Sequence, residues 1–218
     1  MNKKKEIIKC IDALSGSRSP YEVFCDWVKC MAFSIQNSCW PVHDTVWRAR
    51  EEEYLNTIRS YGNDGVHFGD MMAMLALSMD DRVSDLLGEI YMESGCGNKN
   101  TGQFFTPFHL SCMTAALGLA GEDGSRRIVL NEPSCGGGGM VIAAAKVLKD
   151  RGINYQRCLD VAAQDLDWKA VHMCYVQLSL LGIKAVVVQG NTLEEPQIGH
   201  NIPSERVFRT PAKMGVLI

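Results

Sequence analysis

The chain has 218 residues, 46% of them hydrophobic and 22% charged, with four Trp, eleven Met and a formal net charge of −3. That length carries one α/β domain plus a helical appendage and excludes a string of independent enzymatic domains, while the composition excludes a disordered chain. The acidic balance excludes a protein that grips long nucleic acid by charge alone, since neutralising phosphates takes clustered Lys and Arg; any DNA contact has to be local or supplied by a partner.

At the amino end stands the one basic cluster, Lys3-Lys4-Lys5, which reads as a solvated helix start. No apolar signal core is present there, and no apolar run approaches the roughly 20 residues that span a bilayer, so a cytoplasmic protein without membrane contact is expected. The nine cysteines then read as free thiols. No Cys-x-x-Cys pair occurs, Cys25 and Cys30 lack a matching second pair, and no metal site is expected.

Residues 1–100 predict a helical bundle. Ile7, Ile8, Ile11 and Leu14 mark one face of a first helix. Ser19-Pro20-Tyr21-Glu22 is a capping box with Pro at the first helical position, ahead of an apolar stripe of Val23, Phe24, Trp27, Val28, Met31 and Ile35. A third helix starts near Asp44 and carries Trp47, Tyr54, Leu55 and Ile58, with Arg48, Arg50 and three glutamates on its outer faces. A fourth carries Phe68, Met71, Met72, Leu75 and Met79, and a fifth Val83, Leu86, Leu87, Ile90 and Tyr91 before Gly95. Methionines at that spacing read as core rather than as an adaptable surface.

From Gly95 the pattern changes. A loop over 95–100 leads to Gly102-Gln103-Phe104-Phe105-Thr106-Pro107, with Thr106 as N-cap and Pro107 as first residue of a helix through Leu119. Strands at 128–130, 159–164 and 185–188 then alternate with helices at 139–149 and 167–181, the signature of βαβ units in a parallel sheet. The fold class is therefore α/β, with residues 101–218 forming a partial Rossmann-like domain.

After the first strand comes Asn131-Glu132-Pro133-Ser134-Cys135-Gly136-Gly137-Gly138-Gly139-Met140. Four glycines between a strand and a helix bring the backbone close to a ligand, although such turns also serve plain packing. A P-loop needs Gly-Lys-Ser/Thr and no Lys is present. A dinucleotide fingerprint needs a third glycine three residues on, where Val141 or Ile142 stands. An acid ahead of the glycines repels a pyrophosphate, whereas Glu132 suits a ligand with cationic ammonium and sulfonium groups, S-adenosylmethionine. Asp165, at the end of the second strand, stands where a ribose can be held, with an N-cap as the plainer role; Asp167 fills that cap. Asn191, at the end of the third, reads equally as an adenine contact and as a turn residue.

Together these segments resemble the N-6 adenine-specific DNA methylases, particularly the modification subunits of type I restriction systems. The resemblance rests on Gly-Gln-Phe-Phe-Thr-Pro at 102–107, the Glu132–Met140 loop, Gln-Asp-Leu-Asp at 164–167, Gln-Leu-Ser-Leu-Leu-Gly-Ile at 177–183 and Gly-Asn-Thr-Leu at 190–193. It implies that Phe105, Thr106 and Pro107 line the methionine end of S-adenosylmethionine, that Glu132 faces its amino group with Ser134 and Gly136 alongside, that Asp165 holds the ribose and that Asn191 meets the adenine. Ser134-Cys135-Gly136-Gly137 departs from the commoner Ala-Cys-Gly-Ser, and Asn191 stands where Asp is usual.

The family transfers methyl at Asn/Asp-Pro-Pro-Tyr/Phe, where oxygens accept from the amino group of a flipped adenine and the ring stacks on it. No Pro-Pro dipeptide occurs here, Asn201-Ile202-Pro203-Ser204 being the nearest approach, so no catalytic residue is assigned. The three strands are fewer than that family's sheet contains, which leaves the first strand's edge bare. Such an edge calls for cover, expected from the tail at 206–209 and 214–218, from a second copy or from a partner protein. The expectation is an adenine-N6 DNA methyltransferase, or one component of a split enzyme whose partner brings the catalytic loop and target recognition; the alternative is a methylase-like accessory of a restriction-modification or mobile-element system that binds without transferring methyl.

Overall fold

The computed structural model describes residues 3–96, 105–197 and 199–216. Parts of the expected loop and motif, 97–100 and 102–104, and the tail residues 217–218 lie outside the described residues.

Five helices open the chain: α1 (Lys3–Leu14), α2 (Pro20–Cys39), α3 (Thr45–Ser60), α4 (His67–Asp81) and α5 (Leu86–Glu93). Their starts follow the capping chemistry. Ser19 accepts from the Glu22 N–H and Glu22 returns a bond to the Ser19 N–H, while Asp44 accepts from the Trp47 N–H at 2.8 Å. The apolar stripes of α2, α4 and α5 are largely buried, with Trp27 closing its own polar end by donating to the Phe68 carbonyl at 3.2 Å, whereas on α3 Trp47, Tyr54 and Ile58 are only half-buried and Leu55 is exposed. Two expectations are corrected. Val83 precedes α5, which Asp85 caps, and Arg50 is not on an outer face of α3 but only 4% exposed. It turns inward because three carbonyls of the carboxyl-terminal segment accept from its Nη2.

Helix α6 (Phe108–Gly118) begins one residue later than expected. Pro107 is its N-cap, with ψ at 130°, and Thr106 lies ahead of it in the loop. The Pro107 carbonyl takes the first turn's N–H groups, from Leu110 and Ser111. Thereafter come β1 (Ile128–Glu132), α7 (Gly139–Asp150), a short α8 (Tyr155–Cys158), β2 (Leu159–Asp165), α9 (Trp168–Leu180), β3 (Lys184–Gln189), β4 (Val207–Arg209) and a short α10 (Pro211–Met214). Among the described residues no helix is long and apolar enough to cross a membrane.

The expected three parallel strands are joined by a fourth, in the order β1-β2-β3-β4. Ile128 pairs with Leu159 and Val161 with Ala185 in parallel, whereas β4 runs antiparallel to β3 with Val187 opposite Phe208. The tail therefore covers β3 and not β1, correcting its assignment as a cover for the first strand. Phe208 drives this pairing: it is fully buried, stacks on Phe33 of α2 with centroids 6.3 Å apart, and packs against Tyr175 of α9. Thr210 locks the end of β4, accepting from the Ala185 N–H at 2.9 Å and donating to the Ile183 carbonyl at 2.7 Å. Through α2 and α9 the helices and the sheet share one apolar core.

The two faces of the sheet differ. Ile128, Leu159, Val161, Ala163, Ala185 and Val187 are buried, while Val129 on the alternate face is 67% exposed. That face holds Asp160, which binds Lys213 and Arg127. A parallel sheet is ordinarily covered on both faces, and among the described residues the outer face and the edge of β1 stay open. Helix α6, which packs on α7, exposes Leu110, Met113 and, at 74%, Leu117.

Candidate functional site

The carboxyl ends of β1 and β2 and the glycine loop between β1 and α7 enclose a cleft of about 320 Å³. Phe105, Thr106, Glu132, Ser134, Gly136 and Asp165 line it together, six of the eight residues singled out from the sequence. Pro107 and Asn191 are not among its lining residues. Pro107 is occupied in capping α6, and the Asn191 side chain bends back to accept from the Leu193 N–H at 3.1 Å, closing its own turn. Thr192 ties that turn to the glycine loop by donating to the Pro133 carbonyl.

The glycines are required by torsion and by space. Gly138 has φ +92°, and a Cβ there would lie 3.1 Å from Cys174 Sγ; Gly136 has φ +52°, and its Cβ would lie 3.2 Å from the Phe105 ring. The loop is then pinned from β2: Cys135 N–H donates to the Gln164 carbonyl at 2.9 Å and Gly136 N–H to Asp165 Oδ2 at 2.8 Å. The other oxygen of Asp165 takes the Asp167 N–H at 3.0 Å. Each carboxylate oxygen carries two acceptor sites, so this carboxylate still offers one site per oxygen toward the cleft. Asp167 caps α9 as expected, accepting from the Lys169 N–H at 2.8 Å.

Two residues that the sequence did not single out as site residues complete the cleft's support. Asp85, only 5% exposed, lines it from the cap of α5. Its Oδ1 accepts from the Gly88 N–H at 3.0 Å and from Gln177 Nε2 at 2.8 Å. Gln177, fully buried on α9, also donates to the Gly137 carbonyl at 2.8 Å and accepts the Leu87 N–H at 3.0 Å. One side chain thus joins the amino-terminal helices, the glycine loop and α9. An N-cap aspartate was readable at Asp85, but its position under a loop fifty residues away was not.

Electrostatically the cleft is acidic: among the described residues Asp85, Glu132 and Asp165 line it and no Lys or Arg does. Burial pushes the Glu132 carboxyl above the usual glutamate value, with the Asp165 charge adding to the rise and the Ser134 N–H opposing it. Burial likewise raises Asp85, against the Gln177 and Gly88 bonds. Carboxylates held together without a cation favour a positively charged ligand, which relieves their mutual repulsion.

A βαβ sheet with its glycine loop and acidic strand tips at one cleft defines an α/β nucleoside-binding architecture, and two solved structures share this fold. One is a class I S-adenosylmethionine-dependent methyltransferase of Listeria monocytogenes, 13% identical with a TM-score of 0.50, covering 92% of this chain and 55% of its own. The other is the type I restriction-modification methyltransferase subunit of Streptococcus thermophilus, 14% identical with a TM-score of 0.51, covering 91% of this chain and 41% of its own. The chain thus spans about half the length of these structures. The family model for N-6 DNA methylases matches residues 82–212, and the chain belongs to that family.

Proposed function

We propose that this chain is the S-adenosylmethionine-binding part of an adenine-N6 DNA methyltransferase. The observation that carries the proposal is the meeting of Glu132, Asp165 and the Gly136–Gly139 loop at one acidic cleft. A cavity of about 320 Å³ lies within the range of small-molecule sites. Glu132 suits the ammonium of the methionyl group, the free acceptor sites of Asp165 suit the ribose hydroxyls, and Phe105, Thr106 and Ser134 border the same space. When bound, the cofactor supplies an electrophilic methyl group; the chain's own task is to orient it and exclude water.

Methyl transfer to DNA, in this reading, takes place with a second element that brings an Asn/Asp-Pro-Pro-aromatic segment, from further sequence or a partner chain. The open β1 edge, the exposed Val129 face and the apolar side of α6 are the surface for it, since each would be buried by additional strands and helices. A second reading, a methylase-like accessory that binds without transferring methyl, is favoured by the absence of any Pro-Pro dipeptide.

Calorimetric titration with S-adenosylmethionine tests the cleft: saturable binding that Glu132→Gln and Asp165→Asn each weaken is expected, and failure to bind refutes the proposal. Methyl incorporation into DNA, with and without proteins carrying the missing segment, then separates the two readings. In the enzyme reading Val129→Lys abolishes incorporation while leaving cofactor binding intact.

A further inference from the structure

Between α2, α3 and α9 lies a second cavity of about 690 Å³, twice the volume of the cleft at the strand tips. Phe33, Trp168, Arg50 and His172 are among its walls. The last two are 4% and 5% exposed, and each keeps a buried nitrogen without a hydrogen-bond partner, Arg50 Nη1 and His172 Nε2. None of these residues lines the cleft of Glu132 and Asp165.

The Arg50 guanidinium is held before any ligand arrives. Its Nη2 donates to the carbonyls of Ser204 at 3.2 Å and Val207 at 3.1 Å, and it lies 4.7 Å from the Phe208 ring centroid. Among the described residues no carboxylate forms an ion pair with it, and burial lowers its pKa. Carbonyl dipoles, the faces of Phe208 and Trp40, and Asp44 and Glu205 at longer range only partly offset the burial of this cation, and an anion in direct contact would complete its pairing. His172 is neutral, since burial, with Lys29 and Arg50 nearby, takes its pKa down to about 3. In the tautomer protonated at Nε2 it is a second unused donor.

The remaining charged walls limit the anion. Lys29 is already taken by Asp26 at 3.4 Å and Glu53 at 3.1 Å, and both Glu53 and Glu205 line the cavity. Two carboxylates nearby disfavour a doubly charged phosphate, and two spare donors match one carboxylate group. The indole of Trp168 and the ring of Phe33 suit a flat apolar body. We infer that this cavity binds a small aromatic carboxylate, with the acid on Arg50 Nη1 and His172 Nε2 and the ring between Phe33 and Trp168.

Titration calorimetry on the full chain tests this with 2-naphthoate, its neutral amide 2-naphthamide and inorganic phosphate. Saturable binding of one naphthoate per chain is expected, about tenfold or more tighter than the amide, with no competition from phosphate or from S-adenosylmethionine. His172→Phe and Arg50→Met should each weaken naphthoate about tenfold or more and leave the amide unchanged, and Glu205→Gln should tighten it. Arg50 also secures the tail, so if Arg50→Met unfolds, His172→Phe decides. Equal affinity for acid and amide, displacement by phosphate or S-adenosylmethionine, or no naphthoate binding at millimolar concentration overturns the inference.

Discussion

Replacing Gln177 with Leu removes three buried hydrogen bonds at nearly constant volume. The change orphans the Leu87 N–H and the Gly137 carbonyl, and it strips Asp85 Oδ1 of one of its two donors. A buried polar group left without its partner costs about 1–3 kcal/mol, more when it is charged. Because the three share one side chain their costs do not simply add, and a total of about 3–5 kcal/mol is expected. For a chain of this size that lowers Tm by about 6–20 °C. The penalty should also depend on pH. Asp85 already titrates above the usual aspartate value through burial, and losing Gln177 raises it further. A carboxyl raised in the folded state contributes stability below its unfolded pKa and loses it as pH rises through the folded pKa. The Gln177→Leu penalty should therefore be smaller in acid than at pH 8. Urea unfolding followed by circular dichroism, at several pH values, measures both. A loss under about 0.5 kcal/mol, or a penalty that grows as pH falls, refutes the network as described.

Other consequences are smaller or more local. Because Glu132 is held protonated to higher pH than a free glutamate, affinity for the cationic S-adenosylmethionine should rise as pH climbs through its raised pKa; in calorimetry Glu132→Gln should flatten that rise. Gly138→Ala meets both a φ of +92° and Cys174 Sγ at 3.1 Å, so urea unfolding should show a loss of about 1–3 kcal/mol. Gly69→Ala, on α4 with nothing within 4 Å of its Cβ, should instead gain about 0.5–1 kcal/mol. Thr210→Val leaves the Ala185 N–H without its hydroxyl partner and should cost about 1–3 kcal/mol, with the amide protons of β4 exchanging faster than those of β1 and β2.

Much of this molecule follows from local rules acting on neighbouring residues. The capping box at Ser19, the Asp44 cap, the period of the helical stripes and the alternation of apolar runs with helices from 128 to 188 depend on contacts a few residues apart. Chain order then sufficed to set Glu132 and Asp165 at the ends of adjacent parallel strands, with Ser134 and Gly136 in the loop that follows the first. Tertiary structure alone decided the rest, because burial depends on elements far apart in sequence. It turned Arg50 from a surface position into a buried cation, set Asp85 beneath a loop fifty residues away, and drew Asn191 into its own turn. It also sent the tail to β3, since Phe208 finds its pocket between Phe33 and Tyr175, groups that no pattern within residues 206–209 contains.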